Sequence, residues 1–144
     1  MIIRPASLSD LNRILDIAME ATLMYPNMRA DKAKIKALGI DAISAARHYA
    51  LVTERDGGYI DGVLIAFVTD NAWAQRQNAQ VMLWVSRFPG SGAAMLRQFR
   101  DWVLSRRAIK VAGFAPDVDL DPRVLALAER IGFKRHGGAY LLYN

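Results

Sequence analysis

Apolar residues recur along this chain with two periods, and the switches between them divide it into elements. Met1 to Ala6 reads as a short strand carrying Ile2 and Ile3 and ended by Pro5. Leu8, Leu11, Ile14, Leu15 and Ala18 then fall at helical spacing, which predicts a helix opening in Ser7-Leu8-Ser9-Asp10, capped by Ser9 or Asp10, and running to about Thr22. Tyr25-Pro26-Asn27 breaks it. A second helix is predicted from Asp31 to Arg47, with Ile35, Leu38, Ala42, Ile43 and Ala46 inward, Lys32, Lys34 and Lys36 solvated, and Gly39 weakening its middle. His48 to Thr53 and Tyr59 to Val68 have strand character and flank Glu54-Arg55-Asp56-Gly57-Gly58, whose Asp-Gly pair signals an antiparallel hairpin.

A polar link, Thr69 to Asn78, leads to the continuous apolar run Ala79 to Val85, a pattern that predicts a central strand buried on both faces. Gly92 to Arg107 returns to helical spacing, burying Leu96, Phe99 and Val103 with Met95 and Trp102 alongside, and exposing Arg97, Arg100 and Arg106. Ala108 to Phe114 is a further strand. After an acidic turn, Asp117 to Asp121, the pair Asp121-Pro122 caps and opens a short helix through Arg130, with Val124, Leu127, Ala128 and Ile131 inward and Gly132 as its stop. Phe133 to His136 and Ala139 to Tyr143, separated by Gly137-Gly138, predict a closing hairpin. The order is β-α-α-β-β-β-α-β-α-β-β over residues 1–144, an α/β domain with a mixed sheet and no repeat or linker.

Composition narrows the chemistry. The chain has no cysteine, so it holds no disulfide, thiol nucleophile or thiolate metal site; His48 and His136 are its only imidazoles, and no metal is expected. No apolar run approaches the roughly 20 residues that span a bilayer. Met1-Ile2-Ile3-Arg4-Pro5 lacks the layout of a secretory signal, so a cytoplasmic protein without membrane partners is expected. A formal charge of +5 favours an anionic partner, either a polyphosphate cofactor or nucleic acid.

The candidate for that partner lies at the junction Val85-Ser86-Arg87-Phe88-Pro89-Gly90-Ser91-Gly92-Ala93. Two glycines spaced i, i+2 remove Cβ atoms where the backbone turns sharply, and the helix that follows directs its first unpaired N–H groups to the same place. A phosphate fits there, helped by the helix dipole and by the charge of Arg87. The same residues also suit an ordinary strand-to-helix turn.

This junction resembles the pyrophosphate-binding loop of the GNAT superfamily of acyl-CoA N-acyltransferases, Q/R-x-x-G-x-G/A, at Arg87, Gly90 and Gly92. The element order is also that family's. Ile2-Ile3-Arg4-Pro5-Ala6 before Ser9-Asp10-Leu11 looks like its common opening, and Asp121 to Phe133 is similar to the family stretch N-x-x-A-x-x-L-Y-x-x-x-G-F, with Leu127, Gly132 and Phe133 in register. The resemblance implies a sheet splayed at its centre and acetyl-CoA as co-substrate. It places the cofactor on Met82, Leu83, Trp84, Val85, Arg87, Phe88, Pro89, Gly90, Ser91, Gly92, Ala93, Asp121 and Arg130, with Arg97, Arg130 or Lys134 near the 3′-phosphate. It also implies an amine of a small molecule or protein as acceptor, near Tyr25, Met28 and Trp73, and a monomer or homodimer.

Three departures bear on catalysis. The spacer between strand and signature is short, with Val85 almost next to Arg87. Asp121 replaces the asparagine that opens the fourth helix. Ala128 stands where many members carry the tyrosine that protonates the departing thiolate. The backbone around Leu83 and Val85 remains for the oxyanion, Tyr140 or Tyr143 for the acid, and Glu20, His48, Glu54, Asp61 or Asp70 for the base. An acyl-CoA-binding protein with weakened catalysis is therefore an alternative to an N-acetyltransferase. A nucleic-acid module built on Trp73, Arg76, Trp84, Arg97, Arg100, Arg106 and Arg107 is less well supported, because no helix-turn-helix, zinc or RNP pattern accompanies them.

Overall fold

The structure, a computed structural model, describes residues 1–23, 29–115 and 121–137. Its elements are β1 (Ile2–Pro5), α1 (Leu11–Thr22), α2 (Lys32–Ser44), β2 (Tyr49–Arg55), β3 (Tyr59–Asp70), β4 (Gln77–Ser86), α3 (Ser91–Ser105), β5 (Ile109–Gly113) and α4 (Pro122–Arg130). The strands form one sheet in sequence order, antiparallel from β1 to β4 and parallel between β4 and β5. One face packs on α1 and α2 through Ile14, Ile17, Ala42, Val52, Val63 and Ile65; the other packs on α3 and α4 through Leu51, Leu64, Met95, Leu96, Phe99 and Ala128. The predicted mixed α/β architecture is borne out.

Local chemistry explains several boundaries. Ser7 and Asp10 cap each other: the Ser7 N–H and hydroxyl both donate to Asp10 Oδ2, at 2.8 and 3.0 Å, and a 3-10 turn over Leu8–Asp10 precedes α1. Ser7 caps the 3-10 turn, and Asp10, one of the two predicted caps, stands at the N-cap position of α1, whereas Ser9 caps neither; Leu8 is exposed while Ile17 is fully buried. Gly39 lies inside α2 because a Cβ there would come within 2.9 Å of Leu11 Cδ1; its absence lets the first two helices touch. α2 ends at Ser44, leaving Leu38 and Ala46 on the outside rather than inward. The expected polar link shrinks to residues 71–76, since β3 and β4 extend into it and pair from Gly62↔Ser86 to Asp70↔Gln77. Residues 133–137 form no strand among the described residues, and Ala139 to Tyr143 lie outside them, as does the acidic turn up to Leu120.

Arg4 ties the first strand to this cap. Its guanidinium grips Asp10 with two bonds, 2.8 and 2.9 Å, while Nε donates to Glu54 at 2.5 Å. Asp10 is 7 % exposed, and the bond from Arg4 holds its carboxyl down to about 2. A depressed carboxylate stabilises the fold above the ordinary carboxylate range, and that stability disappears as pH falls from about 4 to about 2. Asp10→Asn is expected to cost about 2 kcal/mol at neutral pH and to flatten the loss of stability on acidification. Urea titrations of both proteins at pH 7 and pH 3 check this; parallel acid sensitivity would contradict it.

Candidate active site

The middle strand of the described sheet is β3, buried along most of its length; β4, predicted to be central and buried on both faces, is fourth of five and half-exposed. β5 pairs with it only from Gln77 to Gln80, against Ile109 to Gly113, where β5 ends; from Val81 onward β4 has no β5 partner. Met82 is 66 % exposed. The opposite edge carries a bulge, because Ile65 pairs with Leu83 and Ala66 with Val81, leaving Met82 as the extra residue. That extra residue inverts the alternation of side chains. Ala79, Val81 and Trp84 lie on the α3 face, whereas Leu83 and Val85 lie on the α1–α2 face. Beyond the end of β5, Trp84 and Phe114 meet edge to face, their ring centroids 5.4 Å apart.

At the end of β4 the chain turns into α3 through the glycine loop. Gly90 has φ +82°, a left-handed conformation that side-chain-bearing residues rarely adopt, and it forms the N-cap of α3. Gly92 is needed for space: a Cβ would meet the Ser86 side chain at 3.2 Å and Trp84 Cζ2 at 3.7 Å. Ser91 is fully buried and braces the turn, its hydroxyl 2.6 Å from Ser86 Oγ and donating to the Phe88 carbonyl at 2.8 Å. Its N–H also bonds the Phe88 carbonyl, whereas the N–H groups of Gly90, Gly92 and Ala93 have no backbone acceptor among the described residues. No acidic residue occupies the first turn of α3. Unpaired donors converging at a helix start form a site for an anion.

The charged candidates behave differently from the loop. Arg87, expected to face the phosphate site, is paired with Glu20 at the end of α1. It leaves Ser86, whose side chain faces α3, and by strand alternation it leans the other way. Two residues assigned to separate roles, cofactor anchor and base, thus meet each other. Glu54 is held by Arg4, and Asp61, 3 % exposed, by Arg55 at 3.5 Å. His48 accepts the Val68 N–H on Nδ1 at 3.0 Å and has Asp41 3.4 Å from Nε2, which makes it a clasp between α2 and β3. Asp70 and the 94 %-exposed Trp73 lie at the opposite end of β4 from the loop. Asp121 caps α4 through the Arg123 N–H at 2.9 Å, and Arg123 holds its carboxyl below the usual range. Ala128 is buried, and Arg130 is exposed at the end of α4. Tyr25, Met28, Tyr140 and Tyr143 lie outside the described residues. Sequence patterning offered no signal for Ser86 as the brace of the loop or for Phe114 beside Trp84.

The protein-family and curated-protein comparisons find no match to the sequence. Solved structures do match in shape. A protein of Clostridium acetobutylicum, named as a predicted acetyltransferase and solved with acetyl-CoA, superposes with a TM-score of 0.75 at 12% identity, covering 99% of this chain and 95% of that one. An aminoglycoside acetyltransferase from an uncultured soil metagenomic sample gives 0.67 at 17% identity over 99% and 97% of the two chains. A Bacillus halodurans protein named a transcriptional regulator gives 0.72 at 19% identity over 99% of each. The fold is thus one that proteins named acetyltransferases share. At these identities the likeness is one of fold.

Proposed function

We propose that the chain is an acetyl-CoA-dependent N-acetyltransferase acting on an amine of a small molecule or protein. The observation that carries this reading is the coincidence of two unsatisfied surfaces. β4 loses its β5 partner from Val81 onward, and the same strand leads into the unpaired N–H groups of Gly90, Gly92 and Ala93. A ligand with a diphosphate at one end and an arm containing amides at the other satisfies both, the diphosphate on the loop and the arm against the free edge of β4 as an added strand would lie. Met82 to Val85 border the arm and Phe88 to Ala93 the diphosphate. Arg130, exposed at the end of α4, is available to the 3′-phosphate.

Acyl transfer forms a C–N bond to the amine and breaks the C–S bond; the sulfur leaves with the electron pair and takes up a proton, and the amine gives one up. The chain contributes by holding the two reactants together and by offering backbone N–H groups near the Met82 bulge to the carbonyl oxygen, effects that reach several kcal/mol. At Ala128 it offers no hydroxyl to the sulfur, so that proton comes from water or from Tyr140. A carboxylate base is absent from Met82 to Val85, so the amine loses its proton through water.

A second reading, acyl-CoA binding without turnover, is favoured by buried Ala128 and by the engagement of Glu20, Glu54 and Asp61 in ion pairs. A screen of amines and protein substrates with acetyl-CoA, read by release of free thiol and by mass of the product, separates the two. Transfer supports the enzyme; tight binding without any product across the panel supports the binding protein.

A further inference from the structure

Trp84 carries a polar atom that the fold leaves unused. Its indole nitrogen is buried and has no hydrogen-bond partner among the described residues. Burying an N–H without an acceptor is unfavourable, and such groups in folded proteins usually mark a site completed by something else. The ring is fixed from two sides: by Phe114, edge-on at 5.4 Å, and by the Gly92 backbone, where a Cβ would lie 3.7 Å from Cζ2. Cζ2 is bonded to the ring carbon that bears Nε1, so this side of the indole lies beside the first turn of α3. The unused donor thus belongs to a ring that packs beside Gly92, on the stretch of β4 that has no β5 partner.

We propose that Trp84 determines which nucleotide the loop accepts: Nε1–H donates to a carbonyl oxygen on the pantetheine arm, so that the loop selects coenzyme A over nucleotides without that arm. The inference rests on the acyl-CoA reading above. With a diphosphate on Gly90 to Ala93, the next group of coenzyme A is a gem-dimethyl unit, which suits an aromatic wall, followed by neutral amide carbonyls. A nucleoside triphosphate would instead bring a γ-phosphate against Trp84 and Phe114 and exchange its hydration for a single donor. Tryptophan is a donor only, so the site is matched to an acceptor and to nothing that must donate.

Titration calorimetry of wild type and Trp84→Phe with CoA, acetyl-CoA and 3′-phosphoadenosine 5′-diphosphate tests this. Phenylalanine keeps the ring packing and removes the donor, so affinity for CoA and acetyl-CoA is expected to fall about 5- to 30-fold, with the armless diphosphate unaffected. Equal losses for CoA and acetyl-CoA place the acceptor on an amide of the arm and support the proposal. Unchanged CoA affinity overturns it. Equal loss of all three ligands also overturns it, leaving Trp84 as a packing support for Gly92. If the variant fails to fold, the Trp84 indole ¹H–¹⁵N resonance of wild type, assigned by elimination with Trp73→Phe and Trp102→Phe, decides: it should move downfield with CoA and not with the armless diphosphate, and an unmoved resonance overturns the assignment. Wild type that binds none of the three ligands would overturn the acyl-CoA reading itself.

Discussion

Gly92→Asp is expected to lower the affinity for CoA by on the order of 100-fold or more while the protein still folds. Two effects add. The new Cβ must push the Ser86 side chain, 3.2 Å away, by a few tenths of an ångström, and the carboxylate enters a site where unpaired N–H groups converge. An aspartate in the first turn is favourable to the helix itself, because it complements the dipole, so the variant turns against the ligand the same electrostatics that would hold a phosphate. Gly92→Ala separates the effects, since it makes the steric contact without the charge and should cost only several-fold in affinity. Calorimetric CoA titration with a circular-dichroism melt of each variant reads both consequences. Wild-type affinity in a folded Gly92→Asp protein would mean that the loop is a turn and not an anion site.

Phe99→Ala should have the largest effect on stability, about 3–5 kcal/mol, the usual cost of truncating a fully buried phenylalanine. Phe99 is completely buried in the third turn of α3, with ring centroids 6.3 Å from Tyr49, 6.2 Å from Trp102 and 6.5 Å from Phe133. These partners come from β2, α3 and the segment after α4, so the cavity left behind would be walled by three parts of the chain that cannot all move in. The same packing seats α3, whose amino end carries the glycine loop, against the sheet, and binding should weaken along with stability. Urea unfolding gives the first quantity; a loss under about 1 kcal/mol would show that the site collapses without penalty.

The parts of this fold that were legible in the sequence are those fixed by neighbours in the chain. The Asp-Gly turn after β2, the Asp121 cap before Pro122 and the paired glycines before α3 each follow from local backbone chemistry, and each is found where the residues place it. Contacts between distant positions left no such trace. Arg87 is 67 residues from Glu20, and nothing near either residue announces that they pair. The bulge at Met82 is hidden for another reason: in an uninterrupted apolar run every residue suits either face, so an inverted alternation is invisible. The same run suggested burial on both faces, yet its second half has no β5 partner and leaves Met82 exposed, because composition reports how apolar a strand is and not where its neighbour ends. Trp84 illustrates the limit: the sequence shows a large apolar residue, and only the packing reveals an indole N–H with no acceptor.

The direct measurement is a calorimetric titration of the wild-type protein with acetyl-CoA, repeated in the presence of CoA. A loop and cleft that bind acyl-CoA should give saturable heat at one site per chain, with a dissociation constant between about 1 μM and 1 mM. CoA should compete for that site. No saturable heat with either ligand at several times the upper end of that range, from a protein that is folded by circular dichroism, would contradict it.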